Sequence, residues 1–475
     1  MTRRTISSAN PSAGFPRSKR TRSRRIFWSA ITHGCWGDRV TQQVAPGPDG
    51  FLRGLFDMAV AVADPMRVVP AHLPPRPKGR LIVIGAGKAS ARMAEAVEAH
   101  YGPCEGLVIT RYGYARPCQG IRIVEAAHPV PDQAGLNASA EMLDLLQGLG
   151  PEDLVLALIS GGGSALLCAP AFGLDLKQKS AVNDALLASG APISQMNLLR
   201  KHLSRVKGGQ LAAAAYPAPM LSLLMSDVPG DDPAMIASGP TVGDDSDAAS
   251  ALAIAERWSI PLPEAARNAL AQGKSGVVKT DDPRLAQARS VIVAAPAQSI
   301  AAAAKAAEQA GIDLRFLGDQ IEGEARDVAA AQVEQAIQIA ATMTAENPPV
   351  LMLSGGELTV TRSGSGSGGP NAEFVLAAAL ALQGHPHIHV LACDTDGVDG
   401  AAEVAGAIAG PGTLAQAASQ GIDARSALDD NDAHGFFASV GGQIVTGPTL
   451  TNVNDFRAIL ILPPQPQDQE IVQAP

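Results

Sequence analysis

A chain of 475 residues, 46% hydrophobic and 17% charged, is long enough for two or three domains and too apolar to stay disordered. Ser, Gly, Asp or Arg interrupts each apolar run before the roughly 18 to 20 residues a membrane helix needs, so no membrane partner is expected. The net charge of −9 is uneven: residues 1–49 hold nine Lys or Arg against two Asp or Glu, so the rest carries −16, which argues against a nucleic-acid groove.

The basic head, residues 1–50, reads as a disordered or artefactual extension, and translation from too early a start is the favoured account. Cys35, Cys104, Cys118, Cys168 and Cys393 are scattered without a CxxC or Cys/His cluster, so neither disulfides nor structural zinc is expected and a reducing cytoplasm fits.

Regular structure is expected from Phe51, where Leu52, Leu55, Phe56, Ala59 and Val60 recur at helical spacing before Asp64 and Pro65 end the run. A strand over 81–85 then leads through Gly85, Ala86, Gly87, Lys88, Ala89 and Ser90 into a helix. Ser90 stands where a dinucleotide fingerprint has its third glycine, and Arg111 stands where NAD binding wants an acid, although an Arg there suits the 2′-phosphate of NADP. A lysine at a helix N-terminus is unfavourable for the helix dipole, so Lys88 predicts a phosphate or carboxylate partner.

The same logic returns at 153–168, where a buried strand turns through Ser160, Gly161, Gly162, Gly163 and Ser164. Neither a nucleophile elbow nor a Walker loop fits the chain. Residues 194–215 read as one helix capped by Ser194, with Asn197, Arg200, Lys201, Ser204 and Lys207 on one arc. Such an arc suits an anionic ligand or a plain solvated face, and His202, off the arc, reads as structural. Leu221, Leu223, Leu224 and Met225 then fit a strand covered on both faces, and it ends in Asp227, Asp231 and Asp232, with Ser238, Gly239, Pro240 and Thr241 beyond. In isolation that segment is an ordinary turn; at a parallel strand's carboxyl end it is where ligands gather.

A second α/β pattern begins at Ser290, which divides the chain into domains of 51–289 and 290–475. Its strand-end loops are Ser354-Gly355-Gly356, the Ser/Gly run at 363–369 ahead of Pro370, the acids Asp394, Asp396 and Asp399, and Thr449, Asn452, Asn454 and Asp455 before a final strand. An SGG turn, an acidic loop and a GPT tripeptide recur in that order at 160, 227 and 239 and at 354, 394 and 447, as two similarly furnished halves facing one cleft would have them.

Taken together, GAGKAS, AHPVPDQAG, SGGGSALL, NLLRKHLSRVKGG, SDVPGDDPAMIASGPT, IEGEARDVA, SGGELTV, GGPNAEF, DTDGVDG and TGPTLTNVNDF closely resemble glycerate 2-kinases of the MOFRL-domain family, over roughly residues 51–463. The resemblance implies an α/β fold of two domains, the larger N-terminal one Rossmann-like and the smaller C-terminal one containing the MOFRL part at about 349–463, with an inter-domain cleft. It implies ATP-dependent phosphorylation of D-glycerate at the 2-hydroxyl, with Mg²⁺, by a cytoplasmic monomer or homodimer. Some members carry the label hydroxypyruvate reductase, so an NAD(P)H-dependent reductase is the alternative.

The family's catalytic lysine falls on Lys88, whose charge suits phosphoryl oxygens in transfer. Arg200, Lys201 and Lys207 would lie near phosphate or the glycerate carboxylate, and Asp227 is the candidate base. Asp232, Asp394 and Asp396 are candidate metal ligands, with the roles of base and ligand open among these acids. Gly85, Gly87, Ser160, Gly161, Gly162, Gly163, Ser164, Asn197, Ser238, Thr241, Glu357, Asn371, Glu373, Thr449, Asn452 and Asn454 complete the expected nucleotide and substrate contacts. Two departures stand out: Gly368-Gly369-Pro370-Asn371 replaces the GGRN of some relatives, and Ser365 and Ser367 occupy positions where members commonly offer Lys or Arg, leaving Arg362 as the loop's cation.

Overall fold

A computed structural model describes residues 47–465, so the expectation for the basic head lies outside the described residues except at 47–50. Helix α1, Pro48–Val62, begins with proline at its first position, and its Phe51, Leu52, Leu55, Phe56 and Ala59 are buried. The chain then enters an all-parallel six-stranded sheet. Its members are β1 (Leu81–Ala86), β2 (Glu105–Arg111), β3 (Ile121–Ala126), β4 (Leu154–Ile159), β5 (Met220–Met225) and β6 (Ala288–Ala294), in the order β3-β2-β1-β4-β5-β6.

Alternate residues of the central strands enter different cores, which is why these strands read as unbroken apolar runs. Ile82, Ile84, Val155, Ala157 and Ile159 join one cluster, while Leu81, Val83, Leu156 and Leu158 join the other. Strand order reverses between β1 and β4, so the turns at their carboxyl ends lie side by side where a parallel sheet leaves room for ligands.

Helices α2 (Ser90–Tyr101), α3 (Leu176–Ala188), α4 (Ile193–His202) and α5 (Gln210–Ala215) belong to this half. The single helix expected over 194–215 is two helices. Gly208 and Gly209 take φ of +55° and +80°, and their N–H groups donate to the Ser238 and Gly239 carbonyls at 3.2 and 2.8 Å, so the chain leaves the helix to pair with the loop after β5. The arc of cations is split accordingly.

The second sheet contains β7 (Asp313–Gly318), β9 (Val350–Gly356), β11 (Ile388–Asp394), β12 (Gly406–Ala409), β13 (Gln443–Ile444) and β14 (Asp455–Ile461) in the order β13-β12-β11-β14-β9-β7, antiparallel except where β7 meets β9. Short strands β8 (Gly323–Glu324) and β10 (Leu358–Thr359) pair separately. One face packs against α1 and α6 (Pro296–Gln309); the other packs against α7 (Ala325–Thr342) and α8 (Pro370–Leu382).

The sheets do not divide at residue 290. Ser290 lies inside β6, at the edge of the first sheet, paired with Ser222 of β5, while α1 covers the second sheet. A half-buried strand looks alike at the edge of one sheet or the start of another; only pairing decides which. Among the described residues no helix is long and apolar enough to cross a membrane.

Candidate active site

Lys88 is fixed by its backbone before its side chain is considered. Its N–H donates to the Gly161 carbonyl at 2.9 Å, and Ser160 Oγ accepts from the Ala89 N–H at 3.0 Å and lies 3.2 Å from Ser90 Oγ, so the turns after β1 and β4 are one unit. Gly87, at φ +145°, faces Ser160 where any Cβ would collide. Ser160 therefore joins the two turns rather than facing solvent, and its exposure is 0%.

The Lys88 ammonium pairs with Asp396, which arrives from the loop after β11 in the other half. Asp396 also accepts from the Val398 N–H at 2.7 Å, and its own N–H donates to Asp394 Oδ1 at 2.9 Å. Burial works against the lysine's charge, but Asp396, Asp394 and Asp227 outweigh it and raise its pKa above the usual lysine value. Lys88 is charged throughout the physiological range. Burial, reinforced by Asp396, pushes Asp394 well above the usual carboxylate range, with Lys88 opposing.

Asp227 lies two residues past β5. Its Oδ2 accepts from Asn452 Nδ2 at 3.0 Å and its carbonyl from Asn454 Nδ2 at 2.9 Å. Burial raises its pKa and Lys88 draws it back down. The two asparagines sit on the segment before β14, which crosses into the first half: Val453 joins that half's core and Thr451 Oγ1 donates to the Ala63 carbonyl at 3.0 Å. Thr449, on the same segment, donates to the Thr395 carbonyl at 2.6 Å and steadies the acidic loop. Glu357, exposed after β9, is desolvated by the surrounding protein and, with Asp227 and Asp455 nearby, its pKa rises to about 7.

Gly161 is the tightest point of this group, because a Cβ there would overlap both the Asp227 carboxylate and the Asn452 amide. Gly161→Ala is expected to cost about 1–3 kcal/mol of stability through overpacking and to displace Asp227, lowering kcat by about tenfold or more. Thermal melting and steady-state rates check it; a variant with unchanged rate would show that Asp227 need not stay where it is.

The structure thus brings together Lys88, the Gly161 to Gly163 turn, Asp227, Glu357, Asp394, Asp396, Asn452 and Asn454. Other expected contacts have partners inside the protein. Lys201, 4% exposed, pairs with Asp244 at 2.9 Å. Glu373, fully buried, accepts from Arg326 at 2.6 Å and from Asn431 at 3.0 Å. Asn371 donates to Asp455 at 2.7 Å and Asp399 at 3.3 Å. Asp232 is exposed and accepts the Ala234 N–H at 2.9 Å, apart from Asp394 and Asp396. Ser164 and Ser238 bond to each other at 2.7 Å, and Thr241 is buried. Lys207 donates to the Ser164 and Leu167 carbonyls at 2.7 and 3.2 Å, and Asn197 accepts from Arg200 at 3.3 Å. Gly85 is a buried member of β1. Among the described residues no group of three or more His, Cys, Asp or Glu is placed to hold a metal ion.

Residues 51–271 match the family model described as a domain of unknown function, DUF4147, and residues 350–455 match the MOFRL family. An Agrobacterium vitis protein provisionally named hydroxypyruvate reductase is 49% identical over 432 residues, 90% of this chain and 96% of its own. Glycerate 2-kinase of Pyrococcus horikoshii is 37% identical over 381 residues, 79% of this chain and 86% of its own. The crystal structure of glycerate kinase from Thermotoga maritima superposes with a TM-score of 0.77 at 32% identity, covering 87% of this chain and 100% of that one. The chain belongs to the MOFRL-containing glycerate kinase family.

Within this family framework the Ser/Gly loop at 363–369 is accounted for by residues that sequence reasoning passed over. Asn431 Oδ1 accepts the Ser363 and Gly364 N–H groups at 2.9 Å each; Asp430 accepts from Ser365 at 2.8 Å and Asp432 from Ser367 at 2.9 Å. These amides, which suit an anion, already hold the protein's own oxygens. The signal available beforehand was the run Asp429 to Asp432, four consecutive Asp or Asn residues. Asp399, read as a strand-end acid, accepts the Asn371 and Ala372 N–H groups at 2.9 and 2.8 Å and so caps α8.

Asn431→Ala is expected to lower the melting temperature by several degrees. It leaves the fully buried Glu373 short of a partner, worth about 1–3 kcal/mol, frees two loop amides, and puts alanine at a φ of +55° that it tolerates poorly. Limited proteolysis should then cut at 363–369; an unchanged melt with an intact loop would remove this role.

Proposed function

We propose that the chain phosphorylates D-glycerate at its 2-hydroxyl with ATP, in a cleft between a Rossmann-like first domain and a second domain made of α1 and the residues after β6. What carries the reading is Lys88, held charged between the β1 and β4 turns and the acidic loop after β11, with Asp227 fixed nearby by Asn452 and Asn454. The lysine stabilises charge on the phosphoryl group in transfer. Asp227 accepts the hydroxyl proton, and a pKa raised by burial brings it closer to the range where a carboxylate is an effective base.

Asp394 and Asp396 fit Mg²⁺ as hard oxygen donors, since that ion takes one or two carboxylates beside water and phosphate, and it would supply neutralisation of phosphate charge. Incubation with D-glycerate, ATP and Mg²⁺ should give ADP and 2-phosphoglycerate, resolved by phosphorus NMR. A 3-phosphate product would move the reacting hydroxyl, and no ADP would sink the kinase reading.

The reductase reading draws on the names of relatives such as the Agrobacterium vitis protein. Arg111, which would have to meet a 2′-phosphate, instead pairs with Glu403 at 2.8 Å and lies over the Tyr114 ring, and the Ala89 N–H at the start of α2 is taken by Ser160. No NAD(P)H oxidation with hydroxypyruvate is expected of the pure protein.

A further inference from the structure

We propose that the free edge of β7 pairs antiparallel with the same edge of a second copy of this chain, about a two-fold axis at Leu314. β7 ends the order of its sheet, and among the described residues no strand lies beyond it. Native sheets normally blunt such an edge, because its unpaired N–H and C=O groups are a template for another strand. Here Asp313, Arg315 and Phe316 are exposed, the phenylalanine by 55%.

The backbone fixes which groups are on offer. The Asp313 N–H donates to the Pro349 carbonyl at 2.9 Å, so Asp313 and, by the strand's period of two, Arg315 turn their amides toward β9. Ile312, Leu314 and Phe316 therefore turn theirs outward. The Ile312 N–H is held by the Ala307 carbonyl at 3.1 Å and the register slips after Phe316, so the usable edge runs from the Ile312 carbonyl to Phe316. Arg315 Nη1 reaches round to the outward Leu314 carbonyl at 3.1 Å, as a cation does when that oxygen lacks a strand partner.

The side chains choose the occupant. Antiparallel strands must set outward-facing amides opposite one another, which limits the registers open to two copies. A two-fold axis at Asp313 sets that carboxylate against its own copy, and an axis at Arg315 sets two guanidinium groups together. With the axis at Leu314, Asp313 faces Arg315 of the partner subunit and Arg315 faces the partner's Asp313, in non-hydrogen-bonded pairs whose Cα atoms sit about 4.5 Å apart. The Leu314 amides then exchange bonds across the axis, and the Phe316 N–H donates to the partner's Ile312 carbonyl.

Among the described residues Asp313 and Arg315 form no ion pair within their own chain. Strand β3, at the edge of the first sheet, shows the contrast: its Arg122 pairs with Glu141, and its Glu125 accepts the Gly113 and Ala115 N–H groups at 2.6 and 3.3 Å. Edge charges often serve to keep strands away. Those of β7 alternate in sign on one face, so they repel the two neighbouring registers and favour the one that a symmetric, self-complementary contact uses. β9 and β14 separate β7 from β11 and its Asp394, so the pairing stands apart from the kinase reading.

Sedimentation equilibrium of the full chain at micromolar concentration tests this, and wild-type protein is expected to be a dimer. Asp313→Arg and Arg315→Asp each set like charges opposite one another twice by symmetry, and each is expected to weaken dimerisation tenfold or more. The double variant Asp313→Arg/Arg315→Asp restores the pairing and is expected to return to within threefold of wild type. A variant that had merely lost its fold could not be recovered in this way, and circular dichroism checks each one. Monomeric wild-type protein, a dimer insensitive to both single changes, or single losses that the double variant does not recover overturns the inference.

Discussion

Lys88→Ala is expected to lower kcat by on the order of 10² or more, the cost of removing one preorganised donor from a developing oxyanion. The KM values should change far less, because the charge matters most when the phosphoryl group is between donor and acceptor. The substitution also strips Asp396, which is fully buried, of its counter-charge. Breaking a buried pair from one side costs about 3–5 kcal/mol. Thermal melting should therefore show a clear loss of stability. Circular dichroism will establish that the fold survives; a near-normal rate would move the charge role to another residue.

Asp227→Asn is expected to lower kcat by about 10²–10⁴ while keeping a hydrogen-bonding partner for Asn452, since the amide has the carboxylate's shape but cannot accept the proton. The pH dependence follows from the same residue. Burial raises its folded pKa, so wild-type kcat/KM falls as pH drops through a value above the ordinary carboxylate one, and that acid limb should disappear in the variant. In Lys88→Ala the limb should move to higher pH, because Lys88 is what draws Asp227 down. For stability the sign is opposite to that of a salt-bridged acid. The protonated form is the one the fold favours, so this contribution is full below the ordinary carboxylate pKa and is lost as pH rises through the raised one. An acid limb that persists unchanged in Asp227→Asn would assign proton acceptance to another group.

Glu357 and Asp399 show why such assignments need three dimensions. Both are pushed up to about 7, and desolvation is the leading cause in each. Glu357 keeps an exposed side chain, and Asp227 is among the charges that raise it. Asp399 is 1% exposed and committed to the first amides of α8, so its role is architectural. Nothing in the spacing of either acid separates them.

The strand-end positions were legible in the sequence because a parallel strand buried on both faces must be continuously apolar, and its abrupt change to glycines and acids marks where the backbone leaves the core. That reasoning placed Lys88, Gly161 to Gly163 and Asp227 just past β1, β4 and β5; Asp394 and Asp396 instead end and follow β11 of the largely antiparallel sheet, and Asn452 and Asn454 precede β14. It could not say which charges were already spoken for. Lys201 and Glu373 look on paper like Lys88 and Glu357, but their partners Asp244 and Arg326 lie dozens of residues away and meet them only through packing. Distant pairing likewise placed β6 in the first sheet and α1 on the second, and filled the Ser/Gly loop with Asp430, Asn431 and Asp432. Burial pattern and turn chemistry are local and can be read from the chain; sheet membership and counter-ions are properties of contacts between segments far apart, and only the tertiary structure decides them.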